Sequence, residues 1–243
     1  MRIGIQLYSL RKEIEKYGVD EVFGAVAKAG FKFVETAGYY GLSPQELKKK
    51  LAAQGLSAIS AHVGADGWEQ QLPYLETLGI KTAYIPGLPA NAWNDAEAVG
   101  KVRAMTAALK KKGIGCGYHN HAHEYADGGD GVQALLDAEP LLSAQLDTFW
   151  AVAAGHDPVG LMKKYGKRLS CLHIKEMDSR TKANPAEFPN AVPGKGKSRT
   201  REVFKAAAEM GVKDFILEAE GFPMPYKEYL AESYKAMEKF GKT

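Results

Sequence analysis

Three histidines, His119, His121 and His123, alternate along one short stretch and are followed at once by Glu124. Alternation with period two puts the side chains of 119 and 121 on the same side of a strand. Farther along the chain, Asp147, His173, Lys175, Glu218 and Glu220 each stand at or just past the close of a short apolar run, as Glu35 and His62 do earlier. An ionisable residue at such a place is costly unless it has partners or a task. Asp147, His173 and Glu218 together offer a carboxylate, an imidazole and a second carboxylate. That mixed oxygen and nitrogen set suits one divalent ion (Mn²⁺, Co²⁺, Zn²⁺ or Mg²⁺) rather than a thiolate-seeking one. The fourth donor should come from the histidine-rich stretch, where His119 and Glu124 both qualify.

These residues need a scaffold that brings them together. Eight β-rich runs are read at 3–8, 31–36, 56–62, 82–86, 114–120, 144–147, 169–175 and 215–218. Helical patterns alternate with them at 19–30, 43–54, 68–78, 95–112, 131–138, 158–165, 200–210 and 225–240. Ser43-Pro44 with Glu46 reads as an N-cap, a proline in the first turn and a capping box. Strands and helices alternating at this spacing imply parallel βαβ units. Eight units in 243 residues predict an α/β fold, a single (β/α)₈ barrel spanning 1–243; an open doubly wound sheet is the alternative. Barrel enzymes carry their active sites at the C-terminal strand ends, where the residues named above fall. The one long irregular segment, 176–198, holds Arg180, Lys182, Lys195 and Lys197. It reads either as a loop closing over an anionic substrate or as a solvated basic face.

Composition excludes other classes. The chain is 45% apolar and 25% charged with a net charge of +3, too little excess charge for nucleic acid or a membrane surface to be the main partner. No apolar run approaches the ~18 residues of a membrane span, and the first ten residues do not read as a signal peptide. Cys116 and Cys171 lie in apolar strand-like runs and read as buried thiols. A cytoplasmic setting is compatible with all this, and so is a leader removed before residue 1. A homo-oligomer is equally compatible.

Nearly the whole chain resembles the sugar phosphate isomerase/epimerase group, the xylose isomerase-like barrels. The matching segments are Gly4-Ile5-Gln6-Leu7-Tyr8-Ser9-Leu10-Arg11, Phe33-Val34-Glu35, Ser60-Ala61-His62, the stretch from Tyr118 to Tyr125, Leu146-Asp147-Thr148, Gly155-His156-Asp157-Pro158, His173-Ile174-Lys175-Glu176-Met177-Asp178, Gly194-Lys195-Gly196 and Ile216-Leu217-Glu218. The resemblance implies one divalent ion held by Asp147, His173 and Glu218 plus an acid from strand five. Here the strand-five position carries His119, with Glu124 the nearest acid. It further implies a sugar, keto-sugar, sugar phosphate or polyol substrate, enolised to an ene-diolate beside the ion. The base is His121 or Glu218, and Lys175 is an oxyanion partner or proton donor. Glu35, His62, Lys175 and Glu220 are expected to meet the substrate or orient ligands, and Trp150 to stack on it. The missing strand-five carboxylate moves the expectation from two-base epimerisation towards isomerisation, with a dehydratase or β-eliminating lyase as the alternative. A non-catalytic sugar-binding barrel and a multi-zinc endonuclease are the other classes weighed.

Overall fold

The computed structural model describes residues 1–181 and 188–242. Eight parallel strands, β1 (Arg2–Gln6), β2 (Phe33–Ala37), β3 (Ser57–His62), β4 (Thr82–Ile85), β5 (Gly115–His119), β6 (Ser143–Asp147), β7 (Leu169–Ile174) and β8 (Asp214–Leu217), close into a barrel in sequence order. β8 pairs back on β1, with Ile5 opposite Leu217. The open sheet is thereby excluded. The expected strand positions hold, with ends shifted by one or two residues.

Helices fill the outer ring: α1 (Arg11–Tyr17), α2 (Val19–Ala29), α3 (Pro44–Ala53), α4 (Leu72–Leu78), α5 (Ala96–Lys111), α6 (Gly131–Ala138), α7 (Thr148–Ala153), α8 (Pro158–Tyr165), α9 (Thr200–Met210) and α10 (Tyr226–Phe240). Ser43 and Glu46 form the capping box read from the sequence. Two helices were not legible. α1 buries only Ile14, so it has no apolar stripe to detect. α7 is six residues long and is started by the side chain of Asp147, which accepts from Trp150 N. The pattern at 68–78 divides into a 3₁₀ turn (Trp68–Gln71) and α4, whose first turn contains Pro73.

Inside the barrel, Tyr84, Cys171 and Ile216 form a separate buried cluster. Two strand glycines make the room for it. A Cβ on Gly117 would fall 2.4 Å from the Tyr84 ring, and one on Gly4 would fall 2.8 Å from Ile216. The larger core lies between the strands and the helices, with Phe23, Phe31, Leu47 and Tyr229 fully buried.

Register sets the level of the polar residues above this plug. Asp147 is opposite His173, Gln6 opposite Glu35, and His119 opposite Gln145. After β7 the chain is tied down by Glu176, a buried carboxylate. It accepts from Gly194 N at 2.6 Å, Ser198 N at 2.7 Å and Thr200 Oγ1 at 2.5 Å. Gly196 runs so close that a Cβ there would meet the Met177 carbonyl oxygen at 1.9 Å.

Candidate active site

At the C-terminal end of the barrel, donor atoms of His119, Asp147, His173 and Glu218 all lie within 4.8 Å of one another, and all four residues are buried. Four strands supply them: β5 and β6 end at His119 and Asp147, β7 carries His173 as its penultimate residue, and Glu218 directly follows β8. Two of these groups are left with unpartnered atoms. Asp147 Oδ1 accepts from Trp150 N at 2.9 Å, but among the described residues buried Oδ2 has no partner, and neither has His119 Nδ1. A buried carboxylate oxygen and ring nitrogen without partners are costly. In a set of two imidazoles and two carboxylates they fit a divalent ion of the first transition row.

Glu124 does not join this set. Its Oε1 accepts from Tyr118 Oη at 2.5 Å and its Oε2 from His121 N at 2.8 Å, so both oxygens serve to fold the turn after β5. His119, fixed on the strand itself, stands with the other donors instead.

The electrostatics are sharply divided. Burial disfavours charge on His173, but Glu35 and Glu218 outweigh it and lift its pKa to about 10. Its Nδ1 is 2.5 Å from Glu218 Oε2 and its Nε2 is 2.6 Å from Glu35 Oε1. Burial likewise opposes the charges of Glu35 and Glu218. It is overcome by their neighbours, the His62 and His173 rings for Glu35 and Lys175 and His173 for Glu218, so both carboxylates are held well below the usual range. Burial lowers His119 far below an ordinary imidazole, with His173 and His62 adding to the effect, and lowers His121 to about 4. Asp147 is pushed up to about 7 by burial.

Lys175 has no exposed surface. Its Nζ donates to Glu218 Oε1 and Glu220 Oε1, both at 3.0 Å, and lies 4.9 Å from the Trp150 ring centroid. Burial opposes its charge, yet Glu218, Asp147 and Glu220 raise its pKa.

A cavity of about 430 Å³ opens above the set and is lined by Gln6, Tyr8, His62, His121, Glu218 and Glu220, among others. His121 reaches it with an Nδ1 that has no partner among the described residues, its ring 5.0 Å from that of His119 and 5.5 Å from Trp150. Trp150 is half-buried, and its Nε1 likewise has no partner among the described residues. Glu35 is fully buried beneath His62, so its contacts are with protein groups and it has no open path to substrate. Gln145 was not singled out in the sequence. Its signal was a glutamine in an apolar run, two residues before Asp147 and so on the same face.

The basic residues of the 176–198 loop are spent internally among the described residues. Arg180 pairs with Asp178, Lys195 with Glu232, and Lys197 donates to the Thr181 carbonyl. Lys182 lies outside the described residues. Cys116 and Cys171 are free and buried. No helix among the described residues is long and apolar enough to cross a membrane.

The family model of the xylose isomerase-like TIM barrel matches residues 23–240. The chain belongs to that family. Within it, an inosose dehydratase of Geobacillus kaustophilus is 24% identical, the alignment covering 89% of this chain and 87% of the relative. A solved sugar phosphate isomerase/epimerase of Parabacteroides distasonis superposes with a TM-score of 0.79 at 24% identity, covering 98% and 94% of the two chains. A D-psicose 3-epimerase of Clostridium cellulolyticum superposes at 0.70 with 16% identity, covering 100% and 98%. These likenesses give this xylose isomerase-like barrel its fold. They span dehydratases and epimerases alike.

Proposed function

We propose that this xylose isomerase-like barrel is a divalent-metal-dependent lyase that dehydrates a keto-polyol of the inosose kind. The carrying observation is the asymmetry of the cavity. β5 and the turn after it present imidazoles, His119 and His121, while the carboxylates with their buried ammonium, Glu218 and Glu220 with Lys175, stand just past β8 and β7. An epimerase that works from both faces of a carbon needs a base on each. One base paired with one acid suits elimination, and His121, kept neutral by burial, has a ring nitrogen open to accept a proton. The curated inosose dehydratase relative supports the same reading.

Asp147, His119, His173 and Glu218 would hold the ion. When bound, it draws electrons from the substrate carbonyl and acidifies the adjacent C–H. His121, neutral because burial lowers its pKa to about 4, takes that proton. Lys175 delivers a proton along its 3.0 Å bond to Glu220 and on to the leaving β-hydroxyl. The C–H and C–O bonds break, a C=C bond forms and water departs, with no change of oxidation state overall. The resulting enol relaxes to a dione, and the proton on His121 returns to Lys175 through solvent. Trp150, against both His121 and Lys175, gives the ring of the substrate an apolar face.

The test is incubation of the Mn²⁺-loaded protein with inososes and open-chain ketoses in deuterated water, followed by NMR and ultraviolet absorbance. Loss of water with growth of a conjugated product, abolished by chelator, supports the lyase. Deuterium uptake at the α-carbon with an epimer or aldose as sole product would replace it with the isomerase reading. Absence of any exchange would remove both.

A further inference from the structure

We propose that Glu35 is a positioning residue that selects the tautomer of His173, keeping the proton on Nε2 and leaving Nδ1 free for the ion. The inference rests on the reading that His173 is a metal ligand.

One buried carboxylate, Glu35, gathers donors from four side chains. Glu35 Oε1 accepts from Gln6 Nε2 at 2.7 Å and from His173 Nε2 at 2.6 Å, and Oε2 accepts from Gln145 Nε2 at 2.7 Å. His62 Nε2 stands 3.1 Å from Oε1 and also 2.8 Å from Gln145 Oε1. An ionised carboxylate only accepts. Every nitrogen aimed at it must therefore carry hydrogen, His173 Nε2 included. The other ring nitrogen, Nδ1, lies 2.5 Å from Glu218 Oε2 on the side of the four-donor cluster. With no ion bound it carries hydrogen too, and an ion held by Glu218 would displace that proton while Glu35 keeps the one on Nε2.

The two glutamines keep the carboxylate in place. Gln6 cannot turn its amide round, because its Oε1 accepts the backbone N–H of Tyr8 at 3.0 Å. Gln145 likewise offers Oε1 to His62 and Nε2 to Glu35. Both glutamines and Glu35 are at most 1% exposed, so water cannot replace a lost partner. Groups that orient a metal-bound histidine commonly change metal affinity by about 10–100-fold when altered.

Glu35→Gln has the same shape but only one acceptor oxygen. If that oxygen faces Gln145, the new NH₂ confronts Gln6 Nε2 and His173 Nε2; Gln6 is locked, and His173 must shift its proton to Nδ1. If it faces His173, Gln145 must flip and point its NH₂ at His62 Nε2. Either arrangement disturbs the set.

The experiment measures Zn²⁺ affinity by chelator competition on the full chain and on Glu35→Gln, with circular dichroism and thermal melting as fold controls. In parallel, the ¹⁵N-histidine NMR spectrum of the Zn²⁺-loaded wild type reads the tautomer directly. The expected results are about 10–100-fold weaker binding by Glu35→Gln and a proton on Nε2 of His173. Unchanged affinity in a folded variant overturns the proposal. So does a proton on Nδ1 of wild-type His173, which decides the matter even if Glu35→Gln does not fold. A wild-type chain that binds no Zn²⁺ removes the metal reading and this inference with it, whereas tight wild-type binding with an unaffected variant removes the inference alone.

Discussion

Asp147 Oδ1 accepts the backbone N–H of Trp150 at 2.9 Å, so this carboxylate caps a helix with one oxygen and leaves the other free inside the donor cluster. The two tasks are separable. In Asp147→Asn the amide oxygen can still cap α7, so the melting temperature should move little, while the second charged oxygen is lost. Divalent-metal affinity is expected to fall by about 100-fold or more, exceeding the effect of losing an outer partner. Asp147→Ala should lose the cap as well, costing about 1 kcal/mol of further stability. Titration with Zn²⁺ and a thermal melt on each variant check both halves.

Lys175 is charged and fully enclosed between two carboxylates. Lys175→Met fills similar volume but removes the proton donor and the counter-charge. The turnover number should drop by about 10²–10⁴-fold, with the KM changed far less. Steady-state kinetics on the keto-polyol that the wild type accepts would show it, and a variant with near-normal turnover would take Lys175 out of the reaction.

Burial lowers His121 from 6.5 to about 4. Its folded pKa lies below the unfolded one, so between these values the unfolded chain binds a proton that the folded chain refuses. Stability should therefore decline as pH falls from about 6.5 towards 4. The acidic limb of kcat/KM should lie nearer pH 4 than 6.5. His121→Gln should abolish turnover and flatten that part of the stability profile. Measurement of kcat/KM and of denaturant midpoints from pH 4 to 8 tests both.

Gly196 passes within Cβ-contact distance of the Met177 carbonyl. Gly196→Ala should push the 194–198 turn off Glu176, whose oxygens accept from Gly194, Ser198 and Thr200. A loss of about 1–3 kcal/mol, roughly 2–12 °C in melting temperature for a domain of this size, is the expected outcome by calorimetry.

The barrel was legible because each strand is a short apolar run and most of the expected helices carry a chemical signal at one end, such as the Ser43–Glu46 box or Gly211, which adopts a φ of +74° after α9. Asp147, His173 and Glu218 could be picked out because ionisable groups stood at the ends of apolar runs. The choice between His119 and Glu124 was not readable. It depends on the Tyr118 hydroxyl and the His121 amide reaching Glu124, contacts made by the fold of one turn. Lys175 was read as an oxyanion partner or proton donor, and Glu35 as meeting substrate or orienting ligands. Period-two alternation gives the face a side chain occupies but not its depth, and both are enclosed by partners from other strands.

Tyr84 seated in the space left by Gly117, with Cys171 and Ile216 beside it, stoppers the barrel below the polar layer. The chamber is a cul-de-sac. Whatever enters must leave by the same doorway, past Tyr8 and Glu220. A substrate and the product made from it would therefore use one opening in turn, so a bulky product lingering between Tyr8 and Glu220 bars the next substrate.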